Sequence, residues 1–111
     1  MLPYDTSGFW DWEGNSLAVA ITPQRNLDYA FLLAIHEIVE GYLCRKAGIP
    51  DDLVTEFDMA FERRRKRGDE SEPGDHPKAP YRNEHKAAER IERLLAKELG
   101  VDFNRYLKNL I

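Results

Sequence analysis

His36, Glu37 and Glu40 are the only residues of ordinary charge in the run Tyr29-Ala-Phe-Leu-Leu-Ala-Ile-His-Glu-Ile-Val-Glu-Gly-Tyr-Leu-Cys44. On a helix, at about 100° per residue, His36 and Glu40 share a direction, flanked by Leu32, Val39 and Leu43 on one side and by Tyr29, Leu33 and Cys44 on the other. A helix that is apolar nearly all round is a buried one, and an imidazole or carboxylate buried without a partner costs several kcal/mol, roughly. A shared cation removes that cost. Side chains at i and i+4 stand roughly 5–6 Å apart at Cβ, so His36 and Glu40 can both reach one ion. Glu37, one residue further round, stands beside the ion, where a general base takes a proton from an activated water.

The pattern His36-Glu37-x-x-Glu40 resembles the His-Glu-x-x-His helix of zincin metallopeptidases over five residues, with Glu40 in the place of the second histidine. The thermolysin-like branch of that superfamily holds zinc with two histidines and a glutamate from a later helix. With Glu40 as the carboxylate, the resemblance implies a later histidine, and the sequence has two, His76 and His85. His85 is the preferred third ligand. The resemblance then implies a minimal zincin-like zinc hydrolase, with Glu37 as base and a peptide or amide carbonyl as target.

Other readings share these residues. A fourth protein ligand from Asp58, His76 or Glu84 would close the site and make the ion a structural staple, with no chemistry, in a small phage-type interaction protein. Asp58 falls between Val54 and Phe61 on its helix and also suits a role orienting a ligand. Glu37-x-x-Glu40 followed by Glu56 and Asp58 faintly resembles the magnesium cluster of MazG-like nucleotide pyrophosphohydrolases, with Thr55 where a glutamate belongs. Over most of the chain, His36-Glu-Ile-Val-Glu40, Phe57-Asp58 and Ala79-Pro-Tyr-Arg-Asn-Glu-His85 resemble small phage-type proteins, a likeness that brings no activity with it. A phage protein that binds a host factor without metal is a further reading.

The chain's 111 residues, 42% hydrophobic, suit one small domain spanning 1–111. Sixteen basic and 20 acidic residues give a net charge of −4, which argues against nucleic acid as a partner; the oligomeric state is left open. Arg63-Arg-Arg-Lys-Arg67 is balanced by the acids of 69–75 and by the C-terminal end of its own helix. The single cysteine, Cys44, reads as a small core residue in a reducing compartment. The first twenty residues lack the pattern of a secretory signal, and the apolar run is shorter than a ~20-residue membrane span. A cytoplasmic protein is expected.

The fold class expected is α+β. Phe9–Trp12 and Leu17–Thr22, separated by Glu13-Gly-Asn-Ser16, predict a short N-terminal β-hairpin that roofs the core with Trp10 and Trp12. In zincin-like folds a strand at this place can align an extended substrate. Asn26 caps a helix over 27–47 that Gly48 closes. Asp51 or Asp52 caps a second, with Leu53, Val54, Phe57, Ala60 and Phe61 along its stripe. A loop over 68–80 carries His76. Residues 81–99 predict the third main helix, its core face formed by Ala87, Ala88, Ile91, Leu94, Leu95 and Leu99. Glu84 points into that face, and His85 lies at its border beside the directions of Glu89 and Glu92. Asp102 caps a short C-terminal helix with Phe103, Tyr106, Leu107 and Leu110.

Overall fold

A computed structural model describes residues 6–110. Strands β1 (Gly8–Glu13) and β2 (Ser16–Ile21) form an antiparallel hairpin in which Trp10 pairs with Val19 and Trp12 with Leu17. Helices α1 (Leu27–Lys46), α2 (Asp51–Arg63), α3 (Arg82–Leu99) and α4 (Phe103–Asn109) follow, with a short 3-10 turn at Pro73–Asp75 in the loop before α3. The class is α+β, a hairpin packed on three main helices and a short fourth. No described helix is long and apolar enough to cross a membrane.

Side-chain acceptors set two of the helix starts. Asn26 Oδ1 accepts from the backbone N–H groups of Asp28 and Tyr29 at 2.9 and 3.2 Å, and Asp102 Oδ1 from that of Arg105 at 3.1 Å. The start of α2 departs from expectation: Pro50 holds the cap position and no side chain caps it. Asp51 and Asp52 lie instead in the first turn, where the helix dipole favours negative charge, and Asp51 accepts from Trp12 N–H across the chain at 3.2 Å. Gly48 and Gly100 end α1 and α3 in the left-handed region that glycine adopts without a steric penalty.

α1 and α3 run antiparallel and hold the molecule together in three layers. Leu32 and Leu33 of α1 pack with Ala96 of α3 and Tyr106 of α4 at one end. Cys44 of α1 packs with Trp10, Val54, Ala79 and Tyr81 at the other. Between these two apolar clusters lies a polar layer of His36, Glu37 and Glu40 from α1 with His85 and Glu92 from α3, each at most 9% exposed. Gly41 lets the hairpin close over this layer. A Cβ there would stand 3.0 Å from Trp10 Cγ, and Trp12 Nε1 donates to Gly41 O at 3.0 Å.

Two expected apolar faces are corrected by this layering. α3 turns His85, Ala88, Glu92 and Ala96 inward, whereas Ile91, Leu94 and Leu99 are exposed and Ala87 is half-buried. The hydrogen bonds available to His85 and Glu92 from α1 outweigh the burial of the leucines, and the small Ala88 and Ala96 allow close approach. α1 is likewise not apolar-buried all round, since Phe31, Ile38 and Tyr42 face outward, and Leu53 of α2 is exposed as well.

Candidate metal centre

His36 Nε2 and His85 Nδ1 both lie 3.0 Å from one atom, Glu40 Oε2. Ligands held tetrahedrally at ~2.0–2.1 Å stand roughly 3.3 Å from each other, so this spacing is close to that of three groups on one zinc-sized ion. One donor atom from each of His36, Glu40 and His85 falls within 4.8 Å of the others. The i, i+4 spacing on α1 fixes the first two. The third arrives from α3 because α3 packs its first two turns against the middle of α1.

Each member of this trio is held from behind. His36 Nδ1 faces Glu92 Oε1 at 2.8 Å, and the Tyr106 hydroxyl donates to Glu92 Oε2. In the cation-free fold Nε2–H donates to Glu40; with Nδ1–H held by Glu92, Nε2 is the nitrogen that would give up its proton to an ion, leaving the tautomer a metal ligand needs. Trp10 Nε1 donates to the other oxygen of Glu40 at 2.9 Å. His85 has Gly74 against its ring, so close that a Cβ on Gly74 would stand 2.4 Å from His85 Cγ.

The electrostatics favour positive charge at this point. Burial works against a charged His36, but its bonds to Glu40 and Glu92 prevail and raise its pKa well above the usual imidazole value. Burial likewise opposes a charged His85, and Asp75, Glu40 and Glu72 nonetheless raise it to about 12. Burial pushes the Glu40 carboxyl up, but His36 and His85 bring it down to about 2. Without a cation, protons on the two imidazoles supply the charge that the carboxylates require.

Glu37 is buried beside Gly8 of β1, where a Cβ would stand 2.8 Å from its Cδ. Burial, with Glu40 adding repulsion, raises its carboxyl to about 8. Glu37 lines a cavity of ≈ 710 Å³ with His36, Glu40, His85, Gly8 and Trp10, so the trio and the acid open onto one space. Gly8 and Trp10 lie on β1 at this cavity.

The other residues singled out in the sequence fall elsewhere. Asp58 is buried and accepts from the Tyr81 hydroxyl at 2.5 Å, tying α2 to the start of α3, and it lines the cavity without joining the trio. His76 sits edge-on to Phe57 and Phe61, and its Nδ1 accepts from Lys78 N–H at 3.0 Å. Glu84 turns to a separate groove with Leu43, Lys46 and Ala47. Glu56 is exposed while Asp58 is buried, so the two do not share a face. Arg65 of the basic run pairs with Glu62 at 2.7 Å. Cys44 is buried, and burial raises its thiol pKa far above the usual range.

Glu92, Tyr106 and Trp10 were not assigned to the site by sequence reasoning. Glu92 carried a readable signal, being seven residues after His85 and hence on the same helical face. Tyr106 and Trp10 carried none beyond being aromatic residues with a polar atom. No protein-family model, curated protein or solved structure matches the chain.

Proposed function

We propose that the protein is a zinc-dependent hydrolase in which His36, Glu40 and His85 hold the ion and Glu37 is the general base. The observation that carries this reading is the convergence of two imidazole nitrogens on one carboxylate oxygen, with Glu92 fixing the tautomer of one of them. The donor set of two nitrogens and one oxygen fits zinc, and three protein ligands leave the fourth position open to the cavity.

A bound divalent cation supplies Lewis acidity, which lowers the pKa of water and polarises a carbonyl. The chain's own groups do the rest. Glu37 accepts the proton from the attacking water and can return it to the leaving amine. A cation beside Glu40 also favours the ionised form of Glu37, readying it as a base at neutral pH. The cavity walls at Gly8 and Trp10 suit an extended substrate, which favours a peptide or amide. Cytoplasmic placement is part of the proposal, supported by the buried free thiol.

The staple reading is less well supported, because Asp58, His76 and Glu84 are all outside the trio. The test is elemental analysis of the purified protein, followed by assay on a mixed fluorogenic peptide library. Zinc at about one equivalent per chain or more, with cleavage abolished by Glu37→Gln at unchanged zinc content, is the expected result. Loss of zinc from that substitution would remove Glu37 from the role of base.

A further inference from the structure

We infer that the protein forms a two-fold symmetric homodimer through the outer face of α1 and α3, with the two copies of α1 packed antiparallel across the symmetry axis. The inference is independent of the metal centre, which lies on the other side of α1.

The inward face of α1 carries His36, Glu37 and Glu40. At about 100° per residue, Leu27, Phe31, Ile38 and Tyr42 gather on nearly the opposite side of the helix. Phe31, Ile38 and Tyr42 are 46%, 43% and 55% exposed. α3 extends this face. Leu43 and Lys46 of α1 share a groove with Glu84 and Ala87 of α3, and Ile91 and Leu94 continue the row of Ala87 at helical spacing. Leu94 is 66% exposed. Together these six apolar side chains leave roughly 600 Å² open, the size of the largest apolar patch on an ordinary monomer, where such a patch marks an interaction site. A standard interface takes about 800 Å² from each partner, and the half-buried Ala34, Ile35, Val39 and Leu95 among them bring the face to that size.

A second copy is the occupant because the face is complementary to itself. Asp28 and Lys46 stand about five helical turns apart, so they lie on the same edge of the stripe at its two ends. Laid antiparallel about a two-fold axis beside Ile38, α1 of one copy sets Asp28 against the partner's Lys46. The same register sets Phe31 against the partner's Tyr42 and Ile35 against the partner's Ile38, and symmetry makes each contact twice. A charge near the axis would face its own image, and between Phe31 and Tyr42 the stripe carries none. Arg45, further along, is turned to the hairpin by its bonds to Gly14 O and Asn15 Oδ1. Two copies of the α1 and α3 pair then make a four-helix arrangement, with Ile91 and Leu94 closing its sides. The cavity at His36, Glu40 and His85 faces away from this contact and stays open.

The experiment is sedimentation equilibrium of the full chain from nanomolar to high micromolar concentration. Beside it stand Ile38→Glu, Asp28→Lys, Lys46→Asp and the double variant that carries both charge reversals. All three positions are exposed or half-buried, and helical circular dichroism checks each fold. A dimer is expected in the native chain, and a monomer for Ile38→Glu, which sets two carboxylates together at the axis. Each single reversal should raise the dimer Kd by roughly tenfold, because like charges then meet at both ends, and the double variant should restore it. A native chain that is monomeric throughout would overturn the inference and leave the face to a partner of another kind. A dimer that survives Ile38→Glu, or a double variant no tighter than the single ones, would overturn it too, placing the contact on another surface or in another register. Should Ile38→Glu fail to fold, the charge reversals decide alone.

Discussion

Glu92 Oε1 stands 2.8 Å from Nδ1 of His36, at the opposite ring nitrogen from the one that meets Glu40. A carboxylate placed there selects the tautomer, raises the basicity of Nε2 and stops the ring from turning. Replacing Glu92 with Gln keeps the shape but removes the charge, and zinc affinity is expected to fall about 10-fold to 100-fold. Tyr106→Phe, which strips one donor from Glu92, should cost about 1 kcal/mol of stability and weaken zinc binding less. Competitive zinc titration of the two variants checks the order; equal losses would mean that Glu92 acts only through packing.

Glu37 links stability to pH. Its carboxyl is raised from 4.5 to about 8 in the cation-free fold, first by burial and then by Glu40. Between those values the folded chain holds a proton that the unfolded chain has released, so the proton's contribution is complete below pH 4.5 and lost as pH rises through 8. Glu37→Gln removes the titration. The metal-stripped variant should be more stable than the native chain at pH 8, by roughly 1–3 kcal/mol, and the gap should close toward pH 4. Urea unfolding at a series of pH values measures this, and a gap that widens toward acid would reverse the sign assigned here.

The imidazoles make zinc binding a proton-releasing event. His36 and His85 are both raised above their usual value of 6.5 in the cation-free protein, His85 to about 12, whereas a ligand nitrogen must be unprotonated. At pH 7 the site should release about three protons when zinc binds, two from these rings and one from Glu37, whose carboxyl is raised to about 8 in the cation-free fold. Calorimetric titration in buffers of different ionisation enthalpy reads that number directly, and a heat independent of buffer would contradict it.

The same groups set how the metal-stripped fold responds to acid and alkali. The His85 contribution is present in full below pH 6.5 and is lost as pH rises through about 12. Glu40 is lowered from 4.5 to about 2, so its contribution is present above pH 4.5 and is lost as pH falls through 2. Thermal melts should therefore weaken at both extremes, and saturating zinc should flatten the alkaline side.

Gly74 is a position where one methyl group decides the outcome. Its Cβ would stand 2.4 Å from Cγ and 2.6 Å from Nδ1 of His85, atoms of a ring with no room to yield. Gly74→Ala should displace the loop or the imidazole, destabilise the fold by about 1–3 kcal/mol and weaken zinc binding. Retention of native zinc affinity would show that the loop moves and leaves the ring in place.

The spacing of His36, Glu37 and Glu40 placed three titratable groups on one helix before any tertiary contact was known, because helical periodicity is a local property. The helix caps at Asn26 and Asp102, the glycine stops and the hairpin were legible for the same reason: each is decided within a few residues by hydrogen bonding or permitted backbone angles. The facing of α3 was not. Its leucines promised an apolar core face, and only the partner helix, offering His36 and Glu40 as hydrogen-bonding groups, turned His85 and Glu92 inward instead. Which histidine approached the α1 pair, which carboxylate stood behind it and which loop came to rest on its ring depended on antiparallel packing and on the size of Gly41 and Gly74. Those are contacts between distant segments, and local periodicity carries no record of them.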